Sequence, residues 1–317
     1  MKKIAVVCGG YSGESVVSMR SADMVMRNID KSKHEATKIV ITRERWYAEV
    51  GGEEIEVDKN NFSVAGKTFD GVFMIVHGTP GEDGLMQGYF EMIGLPCTTG
   101  NVGNMALTFN KKSTTRTLGS MGYTVAKSMT LKSDEAYSIS FIVQSLGLPC
   151  FVKPNCGGSS IGTSRVNEVE SLHIALDKAF KEDDHVIIEE FVNGREVTNG
   201  VIVINGMVTA LPITEIKSKK EFFDYEAKYQ GASEEITPAE LDEKTTLHIQ
   251  QMSEDIYKKL DCRGMIRIDY LIKGEEVFVV EVNTVPGFSE ASIIPQQAAA
   301  MGMSKTELIS RVIESCF

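Results

Sequence analysis

The sequence predicts an α/β protein built from two or three closely packed lobes. At 317 residues the chain is too long for one minimal core and too short for three independent ones. Its N-terminus reads as strand, glycine turn and helix, the opening of a doubly wound unit. Past residue 185 apolar strands dominate instead, so the chain changes texture along its length. Hydrophobic residues make up 42% and charged residues 24%, inside the globular range, so a large core needs no disulfide or metal staple.

Ile4–Cys8 is a short, continuously apolar run of the kind found in buried parallel strands, and Gly9-Gly10 ends it. From Ser15 onward Val16, Val17, Met19, Ala22, Val25 and Met26 give a helical stripe. Strands at Lys38–Ile41 and Val72–Val76 and a helix across Leu85–Ile93 complete a first lobe, residues 1–95. A second lobe, residues 96–184, carries helical stretches at Asn104–Leu118 and Glu135–Leu146. A strand (Pro149–Lys153), a Gly/Ser loop, a strand near Thr163–Val166 and a helix through Leu172–Phe180 follow. Strand, glycine loop, strand is a hairpin and not a βα unit. The third lobe, residues 185–317, has strands at Val186–Phe191, Glu196–Ile204, Met207–Pro212, Met265–Ile272 and Val277–Val282. A polar stretch at Lys217–Ala232 interrupts them, and helices fit Ala239–Leu260 and Lys305–Ser315. No repeat or low-complexity linker stands out, so the lobes share interfaces.

A net charge of −11 argues against a nucleic-acid partner but not against small anions held by local Lys, Arg and Mg²⁺. Six cysteines with no CxxC spacing read as reduced cytoplasmic thiols, Cys156 being the one candidate for reactivity. The apolar run after Met1-Lys2-Lys3 is too short for a signal peptide, and no segment approaches the ~20 apolar residues that span a bilayer. The chain reads as soluble and intracellular, with no membrane partner.

The strongest chemical cluster is Arg267-Ile268-Asp269 with Glu281-Val282-Asn283-Thr284-Val285-Pro286-Gly287. Alternation sends Arg267 and Asp269 to one face of their strand and Glu281 and Asn283 to one face of theirs. Pairing through a turn at Lys273–Glu276 joins these faces, and two carboxylates plus an amide suit Mg²⁺ bridging phosphates. A solvated face is the plain alternative, but Met265, Ile266, Ile268, Val279, Val280 and Val282 are apolar on both sides. Charges planted there are expensive unless paired or liganded.

Val152-Lys153-Pro154-Asn155-Cys156-Gly157-Gly158-Ser159-Ser160-Ile161-Gly162 reads either as a phosphate cradle or as an ordinary hairpin turn. Its lysine precedes the glycines, so it is not a P-loop. Ile187–Val192 is an apolar strand ending in carboxylates, with Glu196 beyond. His77–Gly84 follows a strand where ligands sit in open α/β sheets. There His77 is either a switchable donor or structural, and Glu82-Asp83 either functional or a helix cap. The aromatic and charged run at Phe222–Tyr229 reads as a loop anchor or as a lid that excludes water.

Together and in this order, HGTPGEDGLMQG (His77–Gly88), VKPNCGGSSIG, FDYEAKY (Phe223–Tyr229), RID and EVNTVPG resemble the D-alanine–D-alanine ligases of the ATP-grasp superfamily, across essentially the whole chain. The resemblance implies a three-lobed ATP-grasp fold: an N-terminal lobe with an open, mainly parallel sheet, and two α+β lobes gripping ATP. It implies D-alanyl phosphate formation, then D-alanyl-D-alanine for peptidoglycan precursors, from ATP and two molecules of D-alanine, in a cytoplasmic homodimer. Lys111, Lys153 and lid Lys228 would hold the ATP phosphates, Glu189 and Val192 the adenine, and Glu196 the ribose. Asp269, Glu281 and Asn283 would ligate two Mg²⁺ ions, with Mn²⁺ as a substitute. Glu14 would bind the first D-alanine's ammonium, with His77 near its carboxylate. Arg267 and the backbone at Gly287 would support the tetrahedral intermediate, and Ser292 the second alanine's carboxylate. Glu14, Ser159 and Tyr229 would form a triad linking first lobe, glycine loop and lid.

Departures from the family pattern fall at Gly157, Phe288, Ser292-Ile293 and Asn110, and none removes a metal ligand or an ATP lysine. Phe288 and Ile293 alter the region expected to choose the second substrate. D-serine as acceptor and a catalytically inactive nucleotide-binding regulator are the competing readings. A dinucleotide-dependent dehydrogenase lacks GxGxxG.

Overall fold

A computed structural model describes residues 1–218 and 233–317. In chain order the first lobe is β1 (Lys2–Gly9), α1 (Ser15–Asn28), β2 (His34–Ile41), β3 (Trp46–Val50), β4 (Glu53–Asp58), β5 (Ser63–Val64), β6 (Gly71–Met74) and α2 (Leu85–Met92). Its sheet runs β5-β4-β3-β2-β1-β6. β1 pairs in parallel with β2 and β6, and this parallel centre carries the most buried strand of the lobe, Ile4–Cys8. The parallel character stops at β2, because β3, β4 and β5 add an antiparallel meander that hydrophobic runs did not announce. Those strands hold Glu49, Glu53, Glu54, Glu56 and Asp58, so half-exposed edges hide them from a search for apolar runs.

α3 (Val102–Phe109) and α4 (Lys111–Ser120) follow, broken at Asn110, which is extended and caps α4 by accepting from Ser113 N at 2.9 Å. The single helical stretch expected at Asn104–Leu118 is therefore two helices. Next come β7 (Ser128–Lys132), α5 (Ile139–Leu146), β8 (Cys150–Pro154), β9 (Ser164–Val166), α6 (Leu172–Phe180) and β10 (His185–Glu190). They form an antiparallel sheet in the order β7-β10-β8-β9, with α5 and α6 supplying its core. A lobe boundary at 184/185 runs between β9 and β10, two strands of this one sheet.

The third sheet contains β11 (Arg195–Ile204), β12 (Met207–Ala210), β13 (Thr214–Ser218), β14 (Ser233–Ile236), β15 (Ile266–Lys273) and β16 (Glu276–Asn283). Its order is β14-β13-β11-β15-β16, all antiparallel, with β12 on β11. α7 (Glu243–Lys259) covers one face, and α3 and α4 pack against β16, so Leu118 joins this core. α8 (Ile293–Ala300) and α9 (Lys305–Glu314) close the chain. Their Ile294, Ala298, Leu308, Ile309, Val312 and Ile313 share one continuous core with β1, β6 and α1. Each such Ile, Leu or Val contributes about 1.5–3 kcal/mol by leaving water, which ties the third lobe's end to the first lobe. Among the described residues, no helix is long and apolar enough to cross a membrane.

Candidate active site

A cavity of about 900 Å³ opens where the three sheets meet. Glu14, His77, Lys111, Lys153, Ser159, Glu189, Val192, Glu196, Arg267, Asp269, Glu281, Asn283, Gly287 and Ser292 all line it. Every candidate residue that the structure describes is thus brought to one space. Lys228, Tyr229 and the rest of the Phe222–Tyr229 run lie outside the described residues.

The carboxylate face is made by β15 and β16. Asp269 pairs with Glu281 and Arg267 with Asn283, and residues opposite in an antiparallel pair share a face. The register slips beyond Asp269, where Tyr270 faces Val279 and Val280 is the extra residue. That bulge sets the four polar side chains opposite one another. Asp269 accepts from Arg267 Nε and Nη2, each at 2.8 Å, from Thr198 Oγ1 at 2.5 Å and from Asn283 Nδ2 at 3.1 Å. The Asn283 amide therefore spends its nitrogen on Asp269 and keeps its oxygen for another partner. Among the described residues no three His, Cys, Asp or Glu side chains cluster as a metal site, and this face offers two carboxylates and one amide. Two carboxylates and an amide fit a hard divalent cation and no soft one.

The glycine loop connects β8 to β9 and is tied down at several points. Lys111 N and Lys112 N donate to Asn155 O at 3.0 Å and Oδ1 at 2.9 Å, while Cys156 N donates to Asp183 Oδ2 at 2.6 Å. Lys111 Nζ reaches Gly157 O at 2.7 Å, so α4 carries a cation onto the loop. Ser159 and Ser160 have positive φ, with Ser159 Oγ donating to Glu14 in the first lobe. This is more than a hairpin turn, because the loop touches a second lobe. Lys153 Nζ sits 2.6 Å from Glu189 Oε2 across the β8–β10 pair, with side chains only 17% and 11% exposed. Burial works against its charge, but Glu189 prevails and raises the Lys153 pKa. Residues expected at opposite ends of the nucleotide are thus direct partners. The Cys156 thiol is pushed up to about 11, by burial first and Asp183 next, the opposite of an activated thiol.

Glu14 opens α1 and is 8% exposed. Gly158 lies so close that a Cβ there would meet the Glu14 carboxylate oxygens at 2.7 and 2.9 Å. His77 Nε2 is 3.2 Å from Ser21 Oγ, and Nδ1 is 2.9 Å from Val285 O. Burial lowers the His77 pKa against opposing pulls from Glu14 and the Val285 carbonyl. A neutral ring that donates to Val285 O and accepts from the Ser21 hydroxyl satisfies both contacts, so His77 ties α1 to the Val285 loop. Glu82 does not cap α2: the N-cap is Gly84, and Asp83 beside it accepts from Leu85 N at 3.1 Å. Glu82 instead accepts from Gly78 N at 2.6 Å and Val285 N at 3.2 Å. Burial, with Glu14 adding to it, pushes the Glu82 carboxyl up to about 8 despite those bonds.

Ser292 Oγ accepts from Ser289 N at 2.8 Å and lies beside Gly287, which lines the cavity with Ser289, Ala291 and Ile293. Phe288 does not line it. Its ring is fully buried against Phe73, centroids 5.9 Å apart, in the first-lobe core. The expectation that Phe288 alters the acceptor-choosing region is therefore corrected: its side chain anchors the loop from behind. Ile293, by contrast, does line the cavity. Sequence reasoning also missed Thr198, Asp183 and Gln297. Gln297 accepts from Gly200 N at 2.8 Å and donates to Thr198 O at 2.9 Å, joining α8 to β11. A buried Gln facing a strand is visible only once α8 is placed.

Residues 3–66 match the family described as D-ala D-ala ligase N-terminus, and residues 116–314 the D-ala D-ala ligase C-terminus. The chain is 44% identical to a D-alanine–D-alanine ligase of Flavobacterium johnsoniae over 99% of both chains. It is 43% identical to one of Porphyromonas gingivalis, over 99% of this chain and 98% of that one. Among solved structures, the VanG D-Ala:D-Ser ligase of Enterococcus faecalis superposes with a TM-score of 0.88 at 32% identity, covering 100% of this chain and 99% of that one. A Bacillus anthracis D-alanine–D-alanine ligase complexed with ATP gives 0.83 at 28%, over 100% and 97%. Full-length likeness in sequence and in fold makes this chain a member of the D-alanine–D-alanine ligase family.

Proposed function

We propose that this protein is an ATP-dependent D-alanine–D-alanine ligase supplying D-alanyl-D-alanine to cytoplasmic peptidoglycan precursor synthesis. The observation that carries the reading is the convergence of the carboxylate face, the two cationic lysines and Glu14 on one cavity, in a chain whose full-length relatives bear that name. A carboxylate is a poor electrophile, so the donor D-alanine is first phosphorylated: its oxygen attacks the γ-phosphorus and ADP leaves. The acceptor's amine then attacks the acyl carbon, a C–N bond forms, the amine gives up a proton, and phosphate departs with its C–O bond broken.

In this reading Lys111, Lys153 and Lys228 neutralise ATP, Glu189 and Val192 face adenine, and Glu196 the ribose. Glu14 holds the donor's ammonium, His77 stands beside its carboxylate, and Ser159 and Tyr229 join Glu14 in closing the site. Arg267 and the Gly287 backbone face the oxyanion, and Ser292 the acceptor's carboxylate. Asp269, Glu281 and Asn283 would hold Mg²⁺, which supplies charge neutralisation to the transferring phosphoryl group. A homodimer is part of the proposal, supported by Leu85, Met92 and Val102, large apolar side chains exposed on α2 and the start of α3.

The likeness to a D-Ala:D-Ser ligase favours D-serine as the second acceptor to test. Coupled ADP release over a panel of D- and L-amino acids and D-lactate, with products identified by mass, decides between them. Dipeptide from D-alanine alone supports the proposal. Preference for D-serine moves it to the second reading, and no ADP with Mg²⁺ and D-alanine sinks both. Sedimentation tests the dimer.

A further inference from the structure

Val285 is held by the first lobe on both sides of its own residue. Its N–H donates to Glu82 and its carbonyl accepts from the His77 ring. The second oxygen of Glu82 accepts from Gly78 N, so one carboxyl spans two loops separated by 203 residues of sequence. Asp83, not Glu82, accepts from the start of α2, so the Glu82 carboxyl is given to Gly78 and Val285. The position is also an expensive one for an acid, since burial, Glu14 and Glu281 all disfavour its charge. Pro286, with its fixed φ, then carries the chain to Gly287, so the setting of Val285 governs where the Gly287 backbone points.

We infer that Glu82 is a positioning residue for the ligation step: it pins the Val285–Gly287 backbone to the loop that carries His77, so donor pocket and oxyanion support are held as one unit. The inference rests on the ligase reading above. Negative charge gathers on the donor's carbonyl oxygen only when the amine attacks, so a displaced Gly287 slows ligation more than phosphorylation. The acyl phosphate then waits longer and is lost to water, giving ADP without dipeptide.

The test uses the intact protein with Mg²⁺, ATP and D-alanine, measuring ADP and dipeptide separately and ATP affinity by titration. Glu82→Ala is expected to lower dipeptide turnover by on the order of 10- to 100-fold, the scale of a misplaced supporting group. Its ratio of ADP to dipeptide rises above that of the wild type while ATP affinity is retained. Glu82→Gln keeps the volume and one acceptor oxygen, and restores part of both turnover and coupling. Unchanged turnover and coupling in Glu82→Ala would overturn the inference. So would parallel losses of ATP affinity and turnover in both variants, which assign Glu82 to folding alone. Wild-type protein that makes ADP but no dipeptide with any acceptor would overturn the ligase reading, and this inference with it.

Discussion

Replacing Asp269 by Asn separates two views of the carboxylate face. If Asp269 is simply one of several acids awaiting a cation, removing its charge relieves repulsion and leaves the metal-free protein as stable as before, or more so. The structure predicts the reverse, because Asp269 already accepts from Arg267 twice, from Thr198 and from Asn283. An isosteric amide keeps one acceptor oxygen and turns an NH₂ toward donors. The Arg267 side chain, 17% exposed, loses the charge of Asp269 that it pairs with. Removing one partner of a buried pair costs about 3–5 kcal/mol. The retained oxygen offsets part of this, leaving roughly 3 kcal/mol, since charge-assisted bonds are worth about 1.5–3 kcal/mol each. At about 1.5 °C per kcal/mol for a chain of 317 residues, the melting temperature falls by roughly 4–5 °C. The assay is calorimetry without nucleotide and with chelator, so that metal binding cannot contribute. Turnover with excess Mg²⁺ is then expected to be at least about 100-fold lower. An unchanged or raised melting temperature would refute the pairing argument even if activity were lost.

Glu281→Gln abolishes dipeptide formation and weakens Mg²⁺ activation, checked by varying Mg²⁺ at saturating ATP; near-normal rates refute the metal assignment. Gly158→Ala places a Cβ against the Glu14 carboxylate, so the KM for the donor alanine rises on the order of 10- to 100-fold with less change in the KM for ATP. Equal changes in both would show that the loop serves ATP alone. His34 is buried at the start of β2 with both ring nitrogens unpartnered, and burial lowers its pKa. The folded state thus favours the neutral ring, so its stability contribution is present above the ordinary histidine range near about 6.5 and is lost as pH falls below it. His34→Leu is expected to flatten the fall of the melting temperature between neutral pH and pH 5; an identical fall in both proteins excludes His34.

Glu82 shows where reading from sequence runs out. An acid just before a helix is ordinarily a cap, and no local signal tells which of two adjacent acids turns to the helix start and which reaches a loop 203 residues away. Phe288 shows the same limit from the other side, since a residue beside the acceptor loop points into the first-lobe core. The antiparallel strands β3–β5 escaped because their acidic, half-exposed edges lack an apolar run, and α8 because its apolar residues face two directions.

What the sequence determined by itself is whatever depends on local geometry. Side chains alternate along a strand whatever lies nearby, so the sharing of a face by Arg267 with Asp269, and by Glu281 with Asn283, was readable without a partner strand. The five signature segments likewise named the family, and each of the four that the structure describes places a residue on the cavity. Only the tertiary structure decided how those faces meet: the bulge at Val280, the Arg267–Asp269 pair held by Thr198, and the Lys153–Glu189 pair. It also decided that β10 completes the central sheet while α3 and α4 cover the third. These depend on pairing and burial between segments far apart in the chain, and neither is encoded in the period of any single one.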